Sequence, residues 1–362
     1  MRPAPSSIRP APVSIHPAPR LAAALGAVSL LCLTALPAAA ELKVTATIKP
    51  IHALVSQVME GVGVPTLLVK GAASPHTYAL KPSDARELNH ASVVFRVSET
   101  VEPFTRKIVT ALPSSVRIVT LAEAPGIDWL NVRTGETFEP HDDAHDAHDH
   151  DHGHDHDHEK DAHGTDDGHH DHAGHDDEHA NDKDGGDHRS RDGHVWLDPE
   201  NARKMVAEIA RVLADADPAN AETYKANAAR SDAAIVALEA DIARELEPVQ
   251  GKPYVVFHDA YQYFERRFGL SALGSITLNP EAKPSAKRLT EIRKKLGALS
   301  ASCVFSEPQF QAKLVAAVTE GTSARAGTLD PEGALVEPGP RAYETLLRNL
   351  ATGLKTCLVQ GS

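Results

Sequence analysis

The chain has 362 residues, 41% of them hydrophobic, which excludes a wholly disordered protein and leaves room for two ordinary domains with a core in each. Its formal charge of −13 does not describe the whole surface: residues 141–188 hold 16 Asp, 2 Glu and 2 Lys, a local −16, so the remainder carries +3. The same segment holds 15 of the 21 His, which leaves His16, His52, His76, His90, His194 and His258 for any site built from fixed elements.

In chain order the first element is a leader. "RLAAALGAVSLLCLTALPAAA" is an Arg, then about fifteen apolar residues, then small residues at the −3 and −1 positions of a cut after Ala40, the pattern of a secretory signal peptide. The run is too short and Ala-rich to favour a membrane span, and "SLLC" around Cys32 lacks the small residues of a lipoprotein site, so a free product beginning near Glu41 is expected. The long preceding "MRPAPSSIRPAPVSIHPAP" is what an overestimated start codon would add.

From Glu41, "LKVTATI", "TLLV", "SVVFRV" and "VRIVTL" read as buried strands, and "KPSDARELNHA" as a helix opening at Pro82. The His/Asp tract that follows has too little apolar surface to offset an ordering cost of about 1–2 kcal/mol per residue, so a disordered loop is expected over 141–188. Its His and Asp can still chelate cations in interchangeable arrangements, more weakly as the medium acidifies. "LDPENARKMVAEIARVLADADP" is a helix with Asp198 as N-cap and Pro199 at its first position. After Pro218 no Gly or Pro occurs through Glu247, and Tyr224, Ala228, Ile235, Leu238, Ile242 and Leu246 recur at helical spacing. That predicts one helix of roughly 29 residues, about 43 Å long.

Alternation then resumes through "YVVFHDAYQYFERRFG", "KPSAKRLTEIRKKLGA", "SCVF", "PQFQAKLVAAVTEG", "ARAGTLD" and "PRAYETLLRNLATGLKTCL". The fold class is α/β: a lobe over 41–217, a linking helix over 218–247 and a second lobe over 248–362, following the leader at 1–40. In such sheets ligands gather at the carboxyl ends of strands, where His258 follows "YVVF", Asp330 closes "ARAGTL" and His76 follows "TLLV" by a short loop. These positions are expected to meet in a cleft between the lobes. Cys303 and Cys357 remain after leader removal, and an exported chain with an even count normally pairs them, two buried free thiols being the alternative; closing the roughly 55-residue loop is worth about 4 kcal/mol at most. The pair would pin the last helix, with its apolar face of Tyr343, Leu346, Leu347, Leu350 and Leu354, to "SCVF".

His76 sits in a Gly/Ser/Pro turn, where an exposed imidazole has no structural reason. On residues alone His194, in "DGHVWLDPENA", is either a ligand or the last member of the tract, and His258 either a ligand or a helix cap. His52 and His90 read as structural or solvated. "GAASPHTYALKPSD", "HVWLDPENA", "VVFHDAYQYFERRFGL", "TLNPEAKPSAKRLTEIR", "CVFSEPQF" and "GTLDPEG" together resemble, in order and over nearly all of the mature chain, the periplasmic solute-binding proteins of high-affinity zinc ABC importers. The resemblance implies a monomer that binds Zn2+ in the periplasm and hands it to a membrane permease, with no nucleic acid as partner. It implies His76, His194 and His258 as metal ligands and Asp330 as a carboxylate ligand. Pro75 stands where one zinc pattern has a Glu, so Asp330 or a water would complete the shell.

Three neutral imidazoles and one oxygen suit a tetrahedral borderline-soft ion better than the all-oxygen shells of magnesium or calcium. Copper and nickel also favour nitrogen sites, and a manganese binder would more readily use two His and two carboxylates. Three His with an open position also describe a zinc hydrolase, but "HExxH" and "HxE…CxxC" are absent and no general base is presented, so no enzyme is expected. A secreted zinc buffer is the other alternative.

Overall fold

The computed structural model describes residues 42–133, 138, 191–277, 285–298, 301–310 and 312–359. The leader and the His/Asp tract lie outside the described residues. The first lobe is built on β1 (Val44–Ala46), β2 (Thr66–Leu67), β3 (Val93–Arg96) and β4 (Arg117–Thr120), all parallel in the order β2-β1-β3-β4. Its helices are α1 (Lys49–Val58), α2 (Pro82–His90), α3 (Thr105–Val109) and α4 (Pro199–Ala216). Then come α5 (Ala221–Leu246) and the second lobe: β5 (Tyr254–His258), α6 (Gln262–Phe268), β6 (Ser275–Thr277), α7 (Ala286–Ala298), β7 (Cys303–Ser306), α8 (Ala312–Thr319), β8 (Arg325–Thr328) and α9 (Ala342–Val359). The second sheet repeats the parallel order of the first, β6-β5-β7-β8. In each lobe the strand order reverses beside the first strand, so a crevice opens between the carboxyl ends of β1 and β3 in one and of β5 and β7 in the other.

Local chemistry explains the helix starts. Pro82 opens α2, and the Asp198 carboxylate accepts from the Glu200 N–H at 2.9 Å to cap α4, whose next residue is Pro199. The helix α1 is not foreseen by the sequence reading, although Ile51, Leu54, Val55 and Val58 stand at helical spacing: only Thr47 and Ile48 separate it from β1, so the apolar run of the strand leads straight into it. The long helix runs 26 residues, about 39 Å, and is flanked by 3-10 turns at Pro218–Asn220 and Glu247–Val249 in place of the α-helical ends expected there.

One large core joins the inner faces of both sheets to α5, which buries Tyr224, Ile235, Leu238, Ile242 and Leu246 against α1, α4 and α9. Each such aliphatic side chain contributes at most about 1.5–3 kcal/mol. Asn227, also buried on α5, donates to the carbonyls of Val58 and Glu60 at 2.8 Å and so satisfies the last turn of α1. Two smaller apolar clusters, around Leu88 and Val94 and around Ile276 and Ile292, fill the outer faces of the two sheets.

The lobes are tied directly as well as through α5. Trp196 Nε1 donates to the Pro331 carbonyl at 2.9 Å, and Tyr343 Oη donates to the Trp196 carbonyl at 2.8 Å. The Asp198 carboxylate, besides capping α4, takes Arg267 at 2.8 and 2.9 Å. Lys49 Nζ reaches the carbonyls of Gly333 and Ala334 in the loop after β8. Cys303 and Cys357 are bonded, with their Cα atoms 6.1 Å apart, and fasten the start of β7 to the end of α9. Among the described residues no helix is long and apolar enough to cross a membrane.

Candidate metal centre

Three histidines from distant parts of the chain meet between the lobes. His76 lies on a 3-10 turn, Pro75–Thr77, in the loop after β2; Pro75 fixes φ at its start and is itself buried. His194 precedes a second such turn, Val195–Leu197, whose three side chains are wholly buried and hold the backbone in place. His258 is the last residue of β5. His194 and His258 are buried and His76 is half-buried.

Their Nε2 atoms converge: His76 to His194 is 3.2 Å and His258 to His194 is 3.4 Å. All three ring donors lie within 4.8 Å of one another. A tetrahedral ion with Zn–N bonds of ~2.0–2.1 Å holds its donors about 3.3–3.4 Å apart, so the spacing suits such an ion. Two neutral imidazoles facing each other this closely direct lone pairs at one point, which a cation relieves.

What turns Nε2 inward is the partner of each Nδ1. For His258 it is Glu307, just past β7, whose oxygens lie 2.8 and 2.7 Å from Nδ1. Burial opposes a charge on His258, but the carboxylates of Glu307 and, more weakly, Asp259 and Asp192 together outweigh it and raise the pKa. For His194 it is Asp192, which sits 2.7 Å from Nδ1 and also accepts the His194 N–H at 3.0 Å. Among the described residues His76 has no carboxylate partner, and the backbone of Thr100 lies beside its ring; burial and then the two neighbouring histidines push its pKa well below the ordinary value. A carboxylate on the far nitrogen fixes the tautomer and makes the ligand more basic.

Asp330 is not brought into this group. Its carboxylate accepts from Gln309 Nε2 at 3.0 Å and from the Leu335 N–H at 3.2 Å, and so shapes the loop after β8. His52 lies on α1, with Nε2 3.0 Å from the Pro65 carbonyl, a buried structural imidazole whose pKa burial lowers. His90 ends α2 on the surface. The sequence reading did not single out Asp192 and Glu307. Asp192 could have been noticed, because it stands two residues before His194; Glu307 becomes a partner only once β5 and β7 are paired.

The family described as ZnuA, "Zinc-uptake complex component A periplasmic", matches residues 44–357. The chain belongs to this family. It is 48% identical over 315 residues to the high-affinity zinc uptake system protein ZnuA of Brucella abortus (strain 2308), covering 87% of this chain and 91% of the relative. The ZnuA of Paracoccus denitrificans (strain Pd 1222) is 41% identical over 340 residues, covering 93% and 97%. Among solved structures, a crystal structure of ZnuA superposes with a TM-score of 0.65 at 21% identity over 88% of this chain and 99% of that one. The laminin-binding adhesin of Streptococcus agalactiae does so with 0.64 at 21% over 89% and 100%. At that identity the structures speak for the two-lobed fold alone.

Proposed function

We propose that this chain is the periplasmic component that captures Zn2+ and delivers it to the permease of an ABC importer, with His76, His194 and His258 as the ligands. The observation that carries the ligand assignment is the convergence of three Nε2 atoms at 3.2 and 3.4 Å, two of them from the first lobe and one from the second. An ion held this way takes ligands from both lobes. We assign the fourth position to water, since Asp330 is engaged by Gln309 and Leu335 and Pro75 offers no donor. The family is a component of an uptake complex, and this chain is not an enzyme. The monomeric state belongs to the same proposal: the site is complete within one chain.

The test is a zinc titration in competition with a chelator, on the wild-type chain and on His76→Ala, His194→Ala and His258→Ala. Each variant is expected to lose the tight equivalent by more than about a hundredfold, the upper range for loss of a mere supporting contact. Unchanged affinity in His258→Ala would overturn the assignment. For the partner, the wild-type chain should restore growth on scarce zinc only where the permease and ATPase are present; restoration without them would favour a free zinc buffer.

A further inference from the structure

Gly193 is the residue before His194, and its φ lies outside the left-handed region, so nothing in its backbone conformation calls for glycine. Space does. A Cβ on Gly193 would sit 2.5 Å from Thr100 Oγ1, 2.6 Å from Val101 Cγ2 and 2.8 Å from Ser98 Oγ, closer than real side chains approach. All three atoms belong to the loop that leaves the carboxyl end of β3, and Thr100 of that loop is the residue whose backbone faces the His76 ring.

The loop is closed on itself. The buried Glu102 carboxylate accepts from the N–H groups of Val97 and Ser98 at 2.7 and 3.2 Å, the Glu102 N–H donates to the Ser98 carbonyl at 3.0 Å, and the hydroxyls of Ser98 and Thr100 are 2.8 Å apart. It therefore has little freedom to retreat from an added methyl.

We propose that Gly193 is a positioning residue: by letting the segment that carries His194 lie directly on the loop at Ser98–Val101, it sets the gap between His76 and His194 and so selects a small tetrahedral ion. The inference rests on the three histidines being the ligands. An added methyl pushes His194 and the Thr100 backbone apart, widens the 3.2 Å separation of Nε2 atoms, and leaves a pair that no short-bonded ion can span.

Gly193→Ala in the full chain is expected to weaken the tight zinc equivalent by about 10–100-fold, the range for loss of a supporting contact. With one equivalent of Co2+ it should lose the intense visible bands of a tetrahedral ion. Gly297→Ala, where a Cβ meets nothing within 4 Å, is the control and should bind as the wild type. Adding Thr100→Ala and Val101→Ala to Gly193→Ala removes the two nearest obstructing atoms and should recover affinity and the cobalt bands at least in part. Wild-type affinity and bands in Gly193→Ala, or no recovery on truncation, would overturn the proposal. The parent reading is scored separately by His194→Ala: a tight equivalent retained there means the histidines are not the site, while one lost there and kept in Gly193→Ala overturns the positioning role alone.

Discussion

The two lobes share one strand order yet hold their histidines by different means. In the second lobe both the proposed ligand and its anchor are fixed by the sheet: His258 ends β5, Glu307 follows the adjacent β7, and the register Tyr254↔Cys303 and Val255↔Val304 sets them side by side. In the first lobe the proposed ligands hang on loops. His76 has a backbone contact and no carboxylate, and His194 takes its carboxylate from two residues away. A sheet-borne pair is preorganised by hydrogen bonds far from the metal, whereas a loop-borne pair depends on how closely the two loops pack. The second lobe therefore presents a rigid half-site, and the first a half-site assembled by contact.

The largest effect that would break this comparison comes from the anchors. Glu307→Gln is expected to weaken tight zinc binding by about 10–100-fold, and Asp192→Asn by less, because both oxygens of Glu307 lie within 2.8 Å of the His258 Nδ1 whereas a single oxygen of Asp192 lies near that of His194. The pH profile sharpens the point. Glu307 raises the His258 pKa, so in the zinc-free protein His258 holds its proton to a higher pH than an ordinary imidazole, and zinc must displace it. Affinity in the wild type should begin to fall, as pH is lowered, from above the usual imidazole value of about 6.5. In Glu307→Gln that fall begins at lower pH, so the gap between the two proteins should narrow on acidification. A gap that widens would show that Glu307 does not act through the His258 proton.

How much of this was legible in the sequence follows from the same contrast. The strand "YVVF" ending in His258, the capped helix at Asp198 and the long helix are local patterns, and the structure has them where the residues place them. The α/β character of both lobes follows from the alternation of strands and helices, and the turn at His76 from its Gly, Ser and Pro neighbours, whereas the strand orders come from the structure. Two things were hidden. One is α1, whose stripe of Ile51, Leu54, Val55 and Val58 follows so closely on β1 that strand and helix read as one apolar run. The other is every contact made across strands or loops: Glu307 on His258, Gly193 on the Ser98–Val101 turn, and Asp330 turned toward Gln309. Such contacts depend on register and loop path, which no single segment encodes.

The next effect is on stability and should leave binding untouched. The Cys303–Cys357 bond closes a separation of 54 residues at the amino end of β7. Glu307, which anchors His258, lies past the other end of that strand. Replacing both cysteines by Ser is expected to cost up to about 4 kcal/mol in unfolding free energy, measured by denaturant titration of the zinc-free protein. Tight zinc binding at 25 °C should stay close to wild type, because β5 and β7 remain paired. A large loss of affinity would mean that the second half-site draws its rigidity from the covalent link rather than from the sheet.

The smallest expected effect on the tight site is that of the most histidine-rich segment. Residues 141–188 lie outside the described residues, but the chain on either side of them is held independently. Asn131 bridges Arg191, Gln262 donates to the Asn131 carbonyl at 2.9 Å, and Arg133 pairs with Asp259 and Glu265 on the second lobe. Asp192 is fixed again by Tyr263, whose hydroxyl donates to its carbonyl at 2.8 Å, and Asp192 in turn holds His194. Among the described residues, the contacts that position the three histidines therefore form without the tract. Deleting His141 to His188 should remove weak, multiple zinc equivalents in calorimetry and leave one tight equivalent within about twofold of wild type, roughly 0.4 kcal/mol. In cells the deletion should tell chiefly when zinc is scarce, because a dense run of His and Asp collects ions that the preorganised site then holds. If the tight equivalent disappears with the tract, the hierarchy is reversed: the primary ligands are among those fifteen histidines, and the convergence between the lobes is a structural cluster.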